Sequence, residues 1–185
     1  MWWLWILLGV LAVIAVWVLG TYNSLIVSRT SVEEGFSTMD VYLKKRYDLV
    51  PNVVNTVKGY AKHESETLEK VITARNLAMS ASAGSAEQAK NENALSGTLK
   101  SLFALSENYP DLKANENFLQ LQNQLNTLEV DIANSRKYYN GVVKEYNIKI
   151  QTVPTNIIAN FFKFTKKEMF TVDEAAERKS ISVQF

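Results

Sequence analysis

The stretch Tyr47-Asp48-Leu49-Val50-Pro51-Asn52-Val53-Val54-Asn55-Thr56-Val57-Lys58-Gly59-Tyr60-Ala61-Lys62-His63-Glu64 decides how this chain folds, because it combines helical periodicity with an early proline and the chain's only histidine. Val50, Val54, Val57 and Ala61 recur at helical spacing, and Leu68, Val71 and Ala78 continue the run. Upstream, Leu25, Val32, Phe36, Met39 and Leu43 form a similar run, with only Gly35 to weaken a helix between Ser24 and Tyr47. The two runs form either one rod through Pro51 or two helices joined by a turn at Asp48. One rod of about 57 residues would be roughly 85 Å long, and a third helix of about 22 residues would return only some 33 Å of it. A fourth helix of about 42 residues would then overshoot with nothing to pack on. The lengths favour the turn: Asp48 caps a new helix and Pro51 takes its third position, where a missing N–H costs nothing.

At 185 residues and 47% hydrophobic content the chain can bury one core, and a net charge of +1 gives no reason to expect nucleic acid or acidic substrates. Residues 1 to 28 carry no charged side chain. Trp2 to Gly20 is almost unbroken apolar sequence, about 19 helical residues or roughly 28 Å, which spans a bilayer. A secretory signal peptide would open with basic residues and end in a small-x-small cleavage site. Met1-Trp2-Trp3 has no Lys or Arg and no such site follows the apolar run, so the segment reads as an uncleaved anchor. Trp2, Trp3 and Trp5 fall at one interface and Trp17 and Tyr22 at the other. Arg29, Lys44, Lys45 and Arg46 follow the span and no basic residue precedes it, which places the N-terminus outside and the body in the cytoplasm. With no cysteine, disulfides and thiolate metal sites are excluded.

Beyond Ala78, the small residues of Met79-Ser80-Ala81-Ser82-Ala83-Gly84 end a helix, and Ser85-Ala86-Glu87-Gln88 has the spacing of a capping box that opens the next. That third helix carries Leu95, Leu99, Leu102 and Leu105 and stops at Tyr109-Pro110. Either Asp111 or Asn115 can cap its successor. Phe118, Leu121, Leu125, Leu128, Ile132, Ser135, Tyr139, Val142 and Tyr146 then sustain a coiled-coil-like heptad pattern, predicting a helix to about Thr152, before Pro154. The segment from Ile157 to Phe164 is short and very apolar, and Ile181 to Phe185 alternates like a strand. The expected architecture is all-α: a transmembrane anchor (1–22) continuing into an up-down-up-down four-helix bundle (23–153), then an apolar segment and extended tail (154–185). In that order the fourth helix descends toward the bilayer, and the Phe-rich segment arrives near the headgroups.

Pieces along nearly the whole chain resemble the LemA family of bacterial single-pass membrane proteins. They are Tyr22-Asn23-Ser24-Leu25, Leu43 to Val54, Val57 to Glu64, Ala74-Arg75-Asn76, Tyr109 to Asn115, and Ser135-Arg136-Lys137-Tyr138-Tyr139-Asn140 through Tyr146-Asn147 to Pro154. Valines stand at positions 50, 53 and 54 where this family usually has isoleucine and leucine, a difference of packing detail. The resemblance implies an inner-membrane anchor, a cytoplasmic four-helix bundle and no enzyme activity. A link to HtpX-type membrane metalloproteases in some members makes an adaptor or scaffold role plausible.

The residues themselves offer little chemistry. His63-Glu64 would be half of H-E-x-x-H, but position 67 is threonine and no second histidine exists. A di-iron carboxylate site would need Glu-x-x-His on two helices, and Tyr60 stands where its glutamate would be. No Gly-x-Ser-x-Gly elbow or glycine-rich phosphate loop is present. A cytoplasmic-face metal-binding or hydrolytic protein using His63 and Glu64 is therefore the alternative reading, short of ligands, and no cofactor is expected. Gly35, Gly59, Gly97 and Gly141 fall inside predicted helices, where close helix crossings would offset a cost of about 1 kcal/mol each. Arg46, Asp48, Arg75, Glu129 and Arg136 lie at or beside apolar stripes and need partners, since an unpaired buried charge costs several kcal/mol. Asn140 and Asn147 sit one heptad apart beside Tyr139 and Tyr146, a spacing that specifies register or oligomer state. The expected function is a non-enzymatic, membrane-anchored structural or adaptor protein that forms homo-oligomers and presents its bundle to membrane partners. The tail Val183-Gln184-Phe185 could add as a strand to a PDZ-like edge or to a neighbouring subunit.

Overall fold

A computed structural model of the chain describes residues 1–171, and the strand-like tail from Ile181 lies outside them. Every regular element among the described residues is a helix: α1 (Trp2–Tyr60), α2 (Ser65–Ser80), α3 (Ala86–Ser106), α4 (Pro110–Lys113), α5 (Glu116–Lys149) and α6 (Thr155–Phe161). The first twenty residues of α1 pack against almost nothing, and α1 is the described helix long and apolar enough to cross a membrane. From Leu25 the same helix turns amphipathic, burying Leu25, Val32, Met39, Leu43, Val50 and Val57.

The expected turn at Asp48 is absent. Helix α1 runs unbroken through Pro51 for 59 residues, and the chain reverses only at Ala61 to Glu64. Proline removes the N–H that would bond the carbonyl of Tyr47 four residues back, which is why a helix usually breaks there. Here the guanidinium of Arg75, on α2, donates its Nε–H to that carbonyl at 2.7 Å. The orphaned acceptor is satisfied from a neighbouring helix, and Val50, Val53 and Val54 on the same stretch are buried in the core. Asp48 caps nothing. It is exposed on the outer face of α1 and belongs to no ion pair among the described residues.

Helix α5 lies antiparallel to α1 along nearly the whole body. Lys149 bonds the Ser24 carbonyl at 3.0 Å, Tyr138 and Val142 pack at Gly35, Arg46 pairs with Glu129, and Asn115 bonds the Tyr60 hydroxyl at 2.9 Å. Gly35 is a close crossing: an added Cβ would stand 3.3 Å from Val142. Gly59, Gly97 and Gly141 have open space beside them, so the expected crossings there do not occur.

The overshoot that argued against a long first helix is resolved by unequal partners. Beyond Tyr22, α1 rises about 57 Å and α5 about 51 Å, whereas α2 and α3 rise only about 24 and 32 Å. The α2–α3 pair covers the distal part of the α1–α5 pair, where Asn91 bonds the Leu77 carbonyl and Phe103 meets Phe118 edge-on. Nearer the apolar end of α1, the cover is the non-helical strap that follows α6, Phe164 to Thr171. At its capping serine α3 begins as expected, with Ser85 accepting from the Gln88 amide at 3.0 Å. The Gln88 side chain, however, reaches one residue further back, to the Gly84 N–H at 2.8 Å. Asn115 caps α5 by accepting from the Phe118 amide, leaving Asp111 in the short α4.

Candidate functional site

Two polar constellations lie inside the body. The distal one centres on Arg46, whose side chain is fully buried at the meeting of α1, α3 and α5. One terminal nitrogen donates to Glu129 and to Ser96 (2.8 Å), and the other to Glu92, itself fully buried. The hydroxyl of Tyr47 donates to the second oxygen of Glu92, and Ser96 donates to Glu129 at 3.0 Å. Burial, and next the bond to the Glu92 carboxylate, push the Tyr47 phenol well above its ordinary range. A cation between two carboxylates, with hydroxyls on the remaining lone pairs, meets the condition under which buried charges are tolerated.

The sequence pointed to Arg46 and Glu129, and the structure pairs them. It did not point to Glu92, the most deeply buried acid, yet Glu92 stands three residues before Leu95 and seven before Leu99 on the apolar stripe of α3. That placement was the available signal. Arg75 uses its charge on a backbone carbonyl instead of a carboxylate. Arg136 donates to Asn93 at 3.0 Å and stacks over the Phe170 ring, 4.9 Å from its centroid. Burial lowers the Arg136 pKa from its ordinary value, with the Arg46 charge acting in the same direction.

The proximal constellation is a clamp on the strap. Asn147 donates from Nδ2 to the Lys167 carbonyl at 2.8 Å and accepts the Lys167 N–H at 2.9 Å. One heptad earlier, Asn140 makes the same pair of bonds with Phe170, at 2.9 and 2.7 Å. Beside them, the hydroxyls of Tyr139 and Tyr146 donate to the carbonyls of Glu168 and Thr165, each at 3.0 Å. The spacing has a geometric cause: seven helical residues advance about 10.5 Å, and three residues of extended chain advance about 10 Å. Asparagines at i and i+7 therefore meet every third peptide of an extended strand, each amide imitating the paired donor and acceptor of a neighbouring β-strand. The partners of Asn140 and Asn147 in the structure are the backbone groups of the chain's own strap.

His63 is exposed in the turn between α1 and α2, not on a helix face as its sequence context suggested. Glu64 accepts from the Tyr109 hydroxyl at 2.9 Å, raising the Tyr109 pKa, and no group of three or more His, Cys, Asp or Glu that could hold a metal occurs among the described residues. Trp2, Trp3, Trp5 and Trp17 lie on the exposed part of α1, and Tyr22 packs against Phe162 and Phe164 at 4.7 and 5.9 Å between centroids.

A family model described as LemA family matches residues 35–185. The chain belongs to the LemA family. It is similar to Protein LemA of Metamycoplasma hominis, with 24% identity over 155 residues, covering 84% of this chain and 71% of that protein. The match begins at the close crossing of Gly35 and takes in both polar constellations of this LemA-family chain.

Proposed function

We propose that this LemA-family protein is a membrane-anchored scaffold or adaptor without catalytic activity of its own. The observation that carries the reading is α1: an exposed apolar segment of bilayer length continues, in one helix, into the wall that organises the body. The body is then a four-helix bundle of up-down-up-down order, α1, α2, α3 and α5, held upright on the membrane. With the N-terminus outside, it projects from the cytoplasmic face of the bacterial inner membrane. The enzyme-free reading is supported by the commitment of the Arg46, Glu92 and Tyr47 side chains to one another and of Arg75 to backbone.

The scaffold forms homo-oligomers through α5 and its flanks and offers helical surfaces to membrane partners, an HtpX-type metalloprotease being one such partner. A shallow groove between α1 and α5, about 640 Å³ and lined by Val27, Ser31, Tyr138, Gly141 and Val142, suits that use. Exposed apolar side chains at Val130, Tyr138 and Ile148 extend it along α5. Anchoring copies in one membrane raises their effective concentration, so modest contacts suffice for assembly.

The test is extraction in mild detergent, light scattering to count chains, and mass spectrometry of co-purifying membrane proteins. Assemblies of more than one chain with a recurrent membrane partner are expected. A strictly monomeric species would remove the oligomer. Stoichiometric transition metal that disappears in His63→Ala would replace the scaffold with the metal-protein reading.

A further inference from the structure

The turn after α5 and the helix α6 carry an apolar patch with nothing over it among the described residues. Val153, Ile157 and Phe161 are 74%, 62% and 78% exposed, and Phe162 is 44% exposed. On the opposite side of α6, Ile158 and Ala159 are buried in the core, so the helix is fastened to the body with its most apolar face outward. Ile157 and Phe161 are one helical turn apart and share that outer face. Single exposed apolar residues need no explanation, but four together on a short, well-fastened element do.

The position of the patch follows from α1. The middle of the apolar run is Leu11, and Tyr22 lies eleven residues beyond it, about 16.5 Å along the helix axis. Half the thickness of a bilayer's hydrocarbon core is about 15 Å. Tyr22 therefore stands at the edge of the hydrocarbon, and its ring is 4.7 Å from that of Phe162, which in turn is 5.0 Å from Phe161. The patch lies level with the lipid headgroups. Lys163 directly follows it, and Lys166 stands three residues further on, both exposed.

We propose that α6 is a second membrane element, lying in the headgroup layer on the body side of the bilayer. Ile157, Phe161, Phe162 and Val153 enter the acyl boundary, and Lys163 meets lipid phosphates. The chemistry suits an anionic lipid surface: aromatic and aliphatic groups on one face, lysine beside them, and a low position fixed by α1. A soluble protein partner would need to reach a patch already at lipid depth. This inference rests on the reading of α1 as a membrane span.

The absence of cysteine allows single spin labels to be placed in the full chain. Four variants, Leu11→Cys, Ile157→Cys, Phe161→Cys and Lys58→Cys, are reconstituted in vesicles of phosphatidylethanolamine and phosphatidylglycerol. Each label is measured for collision with oxygen, which concentrates in lipid, and with a nickel chelate, which stays in water. The oxygen-to-nickel ratio at positions 157 and 161 is expected to exceed that at position 58 several-fold and to lie below that at position 11. A label at 161 as accessible to nickel as the one at 58, while 11 remains in lipid, overturns the proposal and leaves the anchor standing. Labels at 157 and 161 shielded from both reagents and broadened by spin–spin contact assign the patch to a second copy and also overturn it. A label at 11 open to nickel removes the anchor itself and the proposal with it.

Discussion

Around Arg46 the helices are held by side chains that recognise other side chains, whereas around Asn140 and Asn147 they are held by side chains that recognise a backbone. The first arrangement depends on charge on both sides, and removing Arg46 leaves Glu92 buried without a counterpart. The second contains no ion pair and places little demand on the strap's own residues, apart from Phe164 against Tyr22 and Phe170 under Arg136. The distal half of the body is therefore sensitive to substitution at both partners, and the proximal half at only one.

The largest effect is expected where that asymmetry is sharpest. Arg46→Met leaves Glu92 enclosed without its cation, and unfolding monitored by circular dichroism in detergent should show a loss of about 3–5 kcal/mol. Adding Glu92→Leu should restore much of it, because Glu129 is partly open to solvent and can hydrate. A double variant no better than the single would mean that the network holds the helices by geometry instead of charge balance.

The clamp provides the contrast. Replacing Asn140 and Asn147 together by alanine should cost about 2–4 kcal/mol, since each removal strands backbone groups of the strap. Hydrogen exchange should then rise at Lys167 and Phe170 while α3 keeps its protection. Lys167→Ala, by comparison, should change stability by less than about 0.5 kcal/mol, since the clamp reads only the peptide at that position. Equal effects from Lys167 and Asn147 would erase the distinction between the two halves.

Intermediate in kind between the two is the Arg75 contact on Tyr47, in which a charged side chain serves a backbone carbonyl. Arg75→Ala should cost about 1.5–3 kcal/mol by leaving the Tyr47 carbonyl without a donor. In a Pro51→Ala background the loss should be smaller, because the restored N–H can bond that carbonyl within the helix. Additive losses would show that Arg75 acts by packing alone.

The smallest prediction concerns alkaline pH. Tyr47 titrates above its ordinary 10.0 in the folded chain, so its contribution is complete below pH 10. Above that pH the unfolded phenol ionises first, and stability falls as the pH climbs toward the folded value. Tyr47→Phe should therefore be less stable at pH 8 but decline less steeply above pH 10. An unchanged alkaline slope would assign the decline to Tyr139 and Tyr146, whose phenols burial also shifts upward.

Much of this was legible in the sequence, and the failures have identifiable causes. The apolar stripes marked the helices and the charged stripe positions marked Arg46 and Glu129, while the cap of α5 was narrowed only to Asp111 or Asn115. The unbroken passage through Pro51 was not legible, because its cause is a donor twenty-eight residues away on another helix. Length matching also misled, since it assumed that only helices could cover α1 and α5, and the strap does part of that work. The heptad of Asn140 and Asn147 marked a contact without revealing its target. Recognition of a backbone leaves no trace in the residues recognised.

The passage of α1 through Pro51 without a joint has a mechanical consequence. A helix whose one missing internal hydrogen bond is replaced from a neighbouring helix still resists twist as well as bend, so in the membrane-anchored reading proposed above any rotation of the apolar segment about the helix axis is transmitted to the body. Two copies whose spans associate in the bilayer would thereby set which faces of their bodies point toward each other. On that reading torque, not only proximity, passes from lipid to the distal tip.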